Sequence, residues 1–149
     1  MDESLARWLV GDFEAVCGEQ SIFVKERPLA DGSGKGQVTA DDAMYFIARF
    51  RQGALGSFLA TRMATGRKNF LRFEVFGEKG GINFNLERLN ELEFYSREDD
   101  KAAQGFRTIY ATDSGHPYIR HWWPPGHIIG WEHTFIHEIG DLLEAIHAG

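Results

Sequence analysis

The sequence is poor in the features that mark several classes of protein. Among its 149 residues there is one cysteine, so no internal disulfide can form, and we expect a reducing, cytoplasmic compartment. Sixteen basic against 22 acidic residues give a net charge of −6, which argues against a nucleic-acid partner. No uncharged run approaches the roughly 20 residues that span a bilayer, so we expect no membrane partner. No basic, apolar leader is visible at the N-terminus, and no secretory signal is expected.

The length and composition are those of one globular domain. A chain of 149 residues with 43% hydrophobic and 26% charged residues can bury a core of its own, and we expect a single domain over 1–149. Seventeen glycines and an aromatic content of 13% favour turns and strands. We find no internal repeat and no change of composition that would mark a second domain.

Alternating apolar residues predict a series of antiparallel strands. The pattern is clearest at 44–50, where Met44, Phe46, Ala48 and Phe50 share one face. Gln52 and Gly53 then fit a two-residue hairpin turn. Further strands are expected at 13–25, 55–63, 71–75, 82–84, 92–94 and 107–110, with a flexible glycine-rich loop at 30–36.

Helical spacing at both ends completes the predicted fold. A short helix is expected at 2–9, and a C-terminal helix is predicted by an apolar stripe of Phe135, Ile139, Leu142, Leu143 and Ile146. The order helix, strands, helix predicts an α+β fold, an open and mostly antiparallel β-sheet with helices packed on one face.

Two histidines and one cysteine are the obvious candidates for metal or thiol chemistry. His133 and His137 are one helical turn apart, which is compatible with a shared metal ion, but no third ligand stands at a fixed spacing. Two histidines on the polar face of the C-terminal helix explain the pattern better. Cys17 has no identifiable partner base, and we expect a buried, inert thiol. The sequence predicts no metal site and no catalytic residue.

The segment 121–131, HWWPPGHIIGW, is the most unusual part of the sequence. Tryptophan faces stack on the C–H faces of sugars, and histidine can bond hydroxyl groups, so contact with a carbohydrate is chemically reasonable. The alternative is an aromatic plug that seals one end of the sheet.

Four blocks of the sequence resemble the Gfo/Idh/MocA oxidoreductases, the family of glucose–fructose oxidoreductase and inositol dehydrogenase. They are LARWLVG at 5–11, DDAMYFIARFRQGALG at 41–56, VFGEKGGINF at 75–84 and WWPPGHIIGWEHTFIHEIGDLLEAIHAG at 122–149. Together they cover nearly the whole chain in the family's order. Enzymes of this family join a Rossmann domain for NAD or NADP to an α+β domain that covers the substrate and often builds the oligomer interface.

The resemblance is confined to that second domain. The chain shows no dinucleotide fingerprint, no Glu-Lys-Pro segment and no Asp-x-x-x-His motif, whose histidine would fall at Met1. We therefore expect no Rossmann domain and no cofactor site in this chain. The resemblance implies an intact enzyme that uses NAD or NADP to oxidise a sugar or cyclitol hydroxyl group, and it implies that this chain alone is catalytically incompetent.

Five residues are selected for the wall of a sugar or cyclitol site. Arg62 is a charge on an otherwise apolar strand, and the other four come from the aromatic segment or its approach: Tyr118, His121, Trp122 and His127. The resemblance also implies a homo-oligomer formed through the open face of the sheet. Two alternatives remain open: a stand-alone sugar-binding or assembly module without catalysis, and a metal-dependent enzyme that uses His133 and His137.

Overall fold

Antiparallel strands predominate in the computed structural model, which describes residues 3–149. Helix α1 spans Glu3–Val10 and helix α2 spans Trp131–Ala148. The strands between them are β1 Phe13–Ser21, β2 Glu26–Pro28, β3 Lys35–Gln37, β4 Ala43–Phe50, β5 Leu55–Thr61, β6 Arg72–Phe76, β7 Gly80–Asn85, β8 Glu91–Ser96 and β9 Arg107–Tyr110. The α+β fold with antiparallel sheets is confirmed. The first residue of the predicted N-terminal helix, Asp2, lies outside the described residues.

The strands of residues 3–149 lie in three sheets, ordered β1-β4-β5, β2-β3 and β6-β7-β8-β9. The chain divides into two compact units, of which the first ends at Lys68 and the second begins at Asn69. Each unit is described by itself below.

The core of the first unit lies between α1 and one face of the sheet β1-β4-β5. Ala6 of α1 is buried with Ala48 and Phe50 of the central strand β4 and with Phe58 of the edge strand β5. Phe46 stacks on Phe58 with ring centroids 4.5 Å apart and planes 5° from parallel. The alternation predicted for 44–50 therefore identifies the face of β4 that packs in this core, because residues two apart on a strand point to the same side. Phe46, Ala48 and Phe50 lie in the core, whereas Met44 is 40% exposed.

The turn between β4 and β5 is one residue longer than the sequence indicated. Phe50 and Ala54 are joined by a backbone hydrogen bond of 2.9 Å, so the loop consists of Arg51, Gln52 and Gly53. Gly53 has φ of 93° and donates its N–H to the carbonyl of Phe50. This is the three-residue hairpin in which glycine supplies the left-handed conformation, so a glycine turn was expected but its length was wrong.

The opposite face of the same sheet is open. It carries four large apolar side chains that are 52 to 79% exposed, namely those of Tyr45, Ile47, Leu55 and Leu59. We call the surface formed by these four residues the open face. Cys17 pairs with Ile47 in the register of β1 and β4 and is exposed. The expectation of a buried thiol was therefore wrong, because within this unit no described element covers that side of the strand.

Asp42 explains why two predicted strands are shorter than expected. Its carboxylate accepts the backbone N–H groups of Phe23 and Val24 at 2.8 and 2.9 Å, so these residues leave the ladder and β1 ends at Ser21. Its carbonyl accepts the N–H of Arg62 at 3.0 Å, just after the end of β5. A single buried residue thus closes both strand ends, β1 through its carboxylate and β5 through its backbone carbonyl.

The second unit begins with the four-stranded sheet. Phe73 and Val75 of β6 face Phe84 and Ile82 of β7, and the turn 77–79 closes with the Gly77 N–H on the carbonyl of Gly80. The predicted strands at 71–75, 82–84, 92–94 and 107–110 all lie in this sheet. Helix α2 ends at Ala148 and is capped by Gly149, whose φ is 84°.

Helix α2 presents its histidines, rather than its apolar stripe, to the rest of its unit. The stripe residues Phe135, Ile139, Leu142, Leu143 and Ile146 are 51 to 68% exposed. His133 and His137 are half-buried instead and contact side chains that precede the helix. No described helix is both long enough and apolar enough to cross a membrane.

Candidate functional site

Residues 118–130 lie between β9 and α2, and from here on we call them the aromatic segment. This segment is fixed at both ends. Near its start, a single 3-10 turn over Ile119–His121 buries the side chain of Ile119. Near its end, the side chain of Asn90 donates to the carbonyl of Ile129 and accepts the Ile129 N–H, both at 2.8 Å. The aromatic segment is thus held between a buried residue and a two-point amide contact.

Between these anchors, side chains of the segment contact α2 directly. The indole N–H of Trp122 donates to Nε2 of His137 at 2.7 Å, and the ring of Tyr118 stacks on His137 with centroids 4.3 Å apart. The Tyr118 hydroxyl donates to Asp141 at 2.7 Å, and the edge of Trp122 meets His133. We call these five residues the aromatic clamp.

The clamp requires a particular protonation state of His137. An indole N–H can only donate, so Nε2 of His137 must accept and a neutral ring carries its proton on Nδ1. Burial lowers the pKa of His137 below its ordinary value, and the nearby His133 lowers it further. The hydrogen bond to Asp141 raises the pKa of Tyr118 because the carboxylate favours the protonated phenol.

Beyond the clamp, the segment exposes an aromatic surface. Trp123 is 72% exposed, and its ring lies 5.9 Å from that of His127. Nδ1 of His127 lies 2.8 Å from the carbonyl of Pro124; because a carbonyl only accepts, Nδ1 is the donor and a neutral ring has Nε2 as an acceptor. An indole face beside a hydroxyl acceptor is suited to binding a sugar ring.

The structure brings together some of the residues selected from the sequence. Tyr118 and Trp122 both contact His137 in the clamp. His121 lies between them in the 3-10 turn, and its Nε2 accepts a hydrogen bond from Nε of Arg120. His127 contacts Trp123 and Pro124 instead. Arg62 belongs to the first unit, exposed and one residue beyond the end of β5 rather than within the strand.

Residues that could hold a metal ion or a dinucleotide were also sought. Over residues 3–149, no three His, Cys, Asp or Glu side chains are grouped to bind a metal, and His133 and His137 are engaged with Gly130 and Trp122. Residues 29–34 close the β2-β3 hairpin and lead into a strand rather than a helix, and the predicted loop 30–36 extends two residues too far because Lys35 and Gly36 belong to β3. A dinucleotide site of the Rossmann type needs a parallel strand–helix–strand unit, so the described residues do not fit NAD or NADP.

Four residues of the site were not selected from the sequence as substrate contacts. His137 was considered as a metal ligand or as a polar-face histidine, Asp141 was not singled out, and Asn90 lies 39 residues from its partner. Trp123, the most exposed ring of the segment, was also left out. The signal available for the helix residues was the i, i+4, i+8 spacing of His133, His137 and Asp141, which places them on one face.

Comparison with known proteins places the chain in a family. The model of the GFO/IDH/MocA C-terminal domain matches residues 2–83. A levoglucosan dehydrogenase of Pseudarthrobacter phenanthrenivorans is 41% identical over 97% of this chain and 40% of its own length.

Solved structures agree with that assignment. An oxidoreductase domain protein from Kribbella flavida is 49% identical, with a TM-score of 0.89 over 96% of this chain and 38% of its own. A levoglucosan dehydrogenase in complex with NADH and levoglucosan is 44% identical, with a TM-score of 0.87 over 96% of this chain and 38% of its own.

This chain spans about 40% of the length of its curated relative. The resemblance found in the four sequence blocks is thereby confirmed, and the α+β architecture is that of the matching part of the relatives. The chain belongs to the GFO/IDH/MocA family of oxidoreductases and corresponds to its C-terminal domain.

Proposed function

We propose that this chain forms the substrate-binding and assembly part of an NAD(P)-dependent dehydrogenase that acts on a sugar or cyclitol hydroxyl group. The observation that supports this most is the likeness, over 96% of the chain, to a dehydrogenase solved with both NADH and levoglucosan. The aromatic segment adds chemistry of the matching kind, since an exposed indole and a histidine acceptor suit a ring of C–H and hydroxyl groups.

The proposed substrate wall is built from the segment 118–127. Trp123 offers its face to the sugar ring, while Tyr118, His121, Trp122 and His127 supply hydroxyl, indole and imidazole groups around it. Arg62, exposed just beyond the end of β5 in the first unit, was also selected from the sequence, and we propose it as a separate substrate contact whose guanidinium group can donate to hydroxyl oxygens.

Hydride transfer needs two further components. The nicotinamide must be held over the carbinol carbon, and an acid–base group must take the hydroxyl proton. The described residues do not fit the dinucleotide, so we propose that this chain alone binds sugar without oxidising it and that catalysis belongs to the longer enzyme.

The open face is the proposed assembly surface. Tyr45, Ile47, Leu55 and Leu59 form a contiguous apolar area on one side of the sheet β1-β4-β5. Exposed apolar patches beyond a few hundred Å² mark interaction sites, and most homo-oligomers are closed by a self-complementary contact. A second copy of the chain is the partner that this proposal assigns to the face.

Sugar binding can be tested by nuclear magnetic resonance on the chain itself. The four tryptophans give four indole signals, which substitution of each ring assigns. We expect levoglucosan to shift the Trp122 and Trp123 signals, while Trp8, exposed on α1, serves as an internal control. Unchanged signals from all four indoles at a high sugar concentration would contradict the proposed function.

A further inference from the structure

Resting on the proposed function, we infer that His137 is a positioning residue for the sugar-binding segment: in its neutral form it holds Trp122 by a hydrogen bond and Tyr118 by stacking. The residue lies on α2, 15 positions from Trp122. It would act through these two side chains rather than by touching the substrate.

The geometry of the contacts carries the inference. The imidazole ring of His137 is contacted in two ways. It accepts the 2.7 Å hydrogen bond from Trp122, and it stacks on the ring of Tyr118 with the two planes 13° from parallel. Tyr118 is held a second time by Asp141, one helical turn further along α2. Rotation of the His137 side chain would therefore release Trp122, the residue directly before Trp123, and unstack Tyr118.

The bond to Trp122 is possible in only one charge state. A protonated imidazole would point an N–H at the indole N–H, and the contact would become repulsive. The groups that face His137 act in both directions: His133 on α2 and His121 on the segment oppose its charge, and Asp141 and the stacked Tyr118 ring favour it. The clamp should consequently open as the pH falls below the range in which a histidine ordinarily titrates.

Three variants separate positioning from a general structural role. His137→Ala removes the acceptor and the stack. His137→Gln keeps an amide oxygen near the position of Nε2 but cannot be protonated. His147→Gln changes an exposed histidine at the end of the same helix and is the matched control.

At pH 7.5 we expect the Trp122 indole signal to move towards the solvent-exposed position in His137→Ala and to stay in the other two variants. Levoglucosan should bind His137→Ala about 3- to 10-fold more weakly, the loss of about one hydrogen bond. The glutamine variant should recover affinity to within about 2-fold of the unaltered chain.

The decisive comparison is the pH profile, which does not depend on the alanine variant being folded. As the pH is lowered from about 7.5 to about 4.5, through and below the ordinary histidine range, the Trp122 signal should change more in the unaltered chain and in His147→Gln than in His137→Gln. A Trp122 signal insensitive to pH in the unaltered chain, or equally sensitive in His137→Gln, would overturn the inference. If levoglucosan binds no variant, the proposed function fails, and the indole signal still decides whether His137 positions Trp122.

Discussion

Asp42 and His137 show how a single side chain can organise a long stretch of backbone. Asp42 joins the end of β1 to the end of β5 through three hydrogen bonds, and His137 joins the aromatic segment to α2. Their charge preferences differ, because the carboxylate of Asp42 accepts its two N–H groups most strongly when it is ionised, whereas His137 must be neutral to accept one. We therefore expect the two residues to make the protein pH-sensitive in different ranges.

Replacement of Asp42 by asparagine tests the first of these contacts. The hydrogen bond from the Val24 N–H lowers the pKa of Asp42 below its ordinary value of 3.8, despite the opposing effect of burial. A lowered pKa stabilises the fold above the ordinary value, and this contribution is lost as the pH falls through the folded-state pKa. Asp42→Asn should therefore lower the Tm at pH 7 by roughly 5 °C or more, with a smaller difference near pH 3.

The neighbouring Asp41 gives the matched control for that experiment. Asp41 is exposed, and Asp41→Asn removes the same charge from the adjacent position. Thermal unfolding followed by circular dichroism at both pH values distinguishes the two variants. Equal Tm values for Asp42→Asn and the unaltered chain at pH 7 would show that the carboxylate does not hold these strand ends.

The strands and helices illustrate which parts of the fold are written locally in the sequence. The second sheet was predicted strand by strand, because pairs such as Phe73 and Phe84 alternate with polar neighbours. The β2-β3 hairpin was missed, since three-residue polar strands carry no alternation and are closed by backbone bonds between Leu29 and Gly34. For the candidate site, the sequence indicated the aromatic residues that precede α2 but not their partners His137 and Asp141 on the helix, because these contacts form only in the folded protein.

The open face of β1-β4-β5 leads to a prediction about assembly. If a second copy covers this face, Leu59→Lys should shift the chain from dimer to monomer, because a charge would be buried against an apolar surface. Phe76→Lys introduces the same charge at an exposed apolar position of β6 and should leave the assembly unchanged. Sedimentation velocity over a range of protein concentrations measures the oligomeric state of both variants. A Leu59→Lys protein that sediments as the unaltered chain does would exclude the open face.

At the scale of the molecule, residues 3–149 carry two proposed binding surfaces and no parallel strand–helix–strand unit for a dinucleotide. Its relatives place NADH and levoglucosan on proteins more than twice as long, of which this chain matches about 40%. We propose that the part corresponding to this chain binds the sugar, and that the rest of the longer enzyme binds the cofactor and supplies the acid–base group. Both surfaces follow from apolar and aromatic side chains that the fold leaves exposed.

A chimeric enzyme tests this division most directly. In it, residues 3–149 replace the matching part of the levoglucosan dehydrogenase of Pseudarthrobacter phenanthrenivorans, and NADH formation is measured with levoglucosan and a panel of sugars and cyclitols. We predict turnover of at least one of these compounds, and a loss of affinity for it when Trp123 is replaced by alanine. A folded chimera that binds NADH but oxidises no sugar or cyclitol would contradict the account.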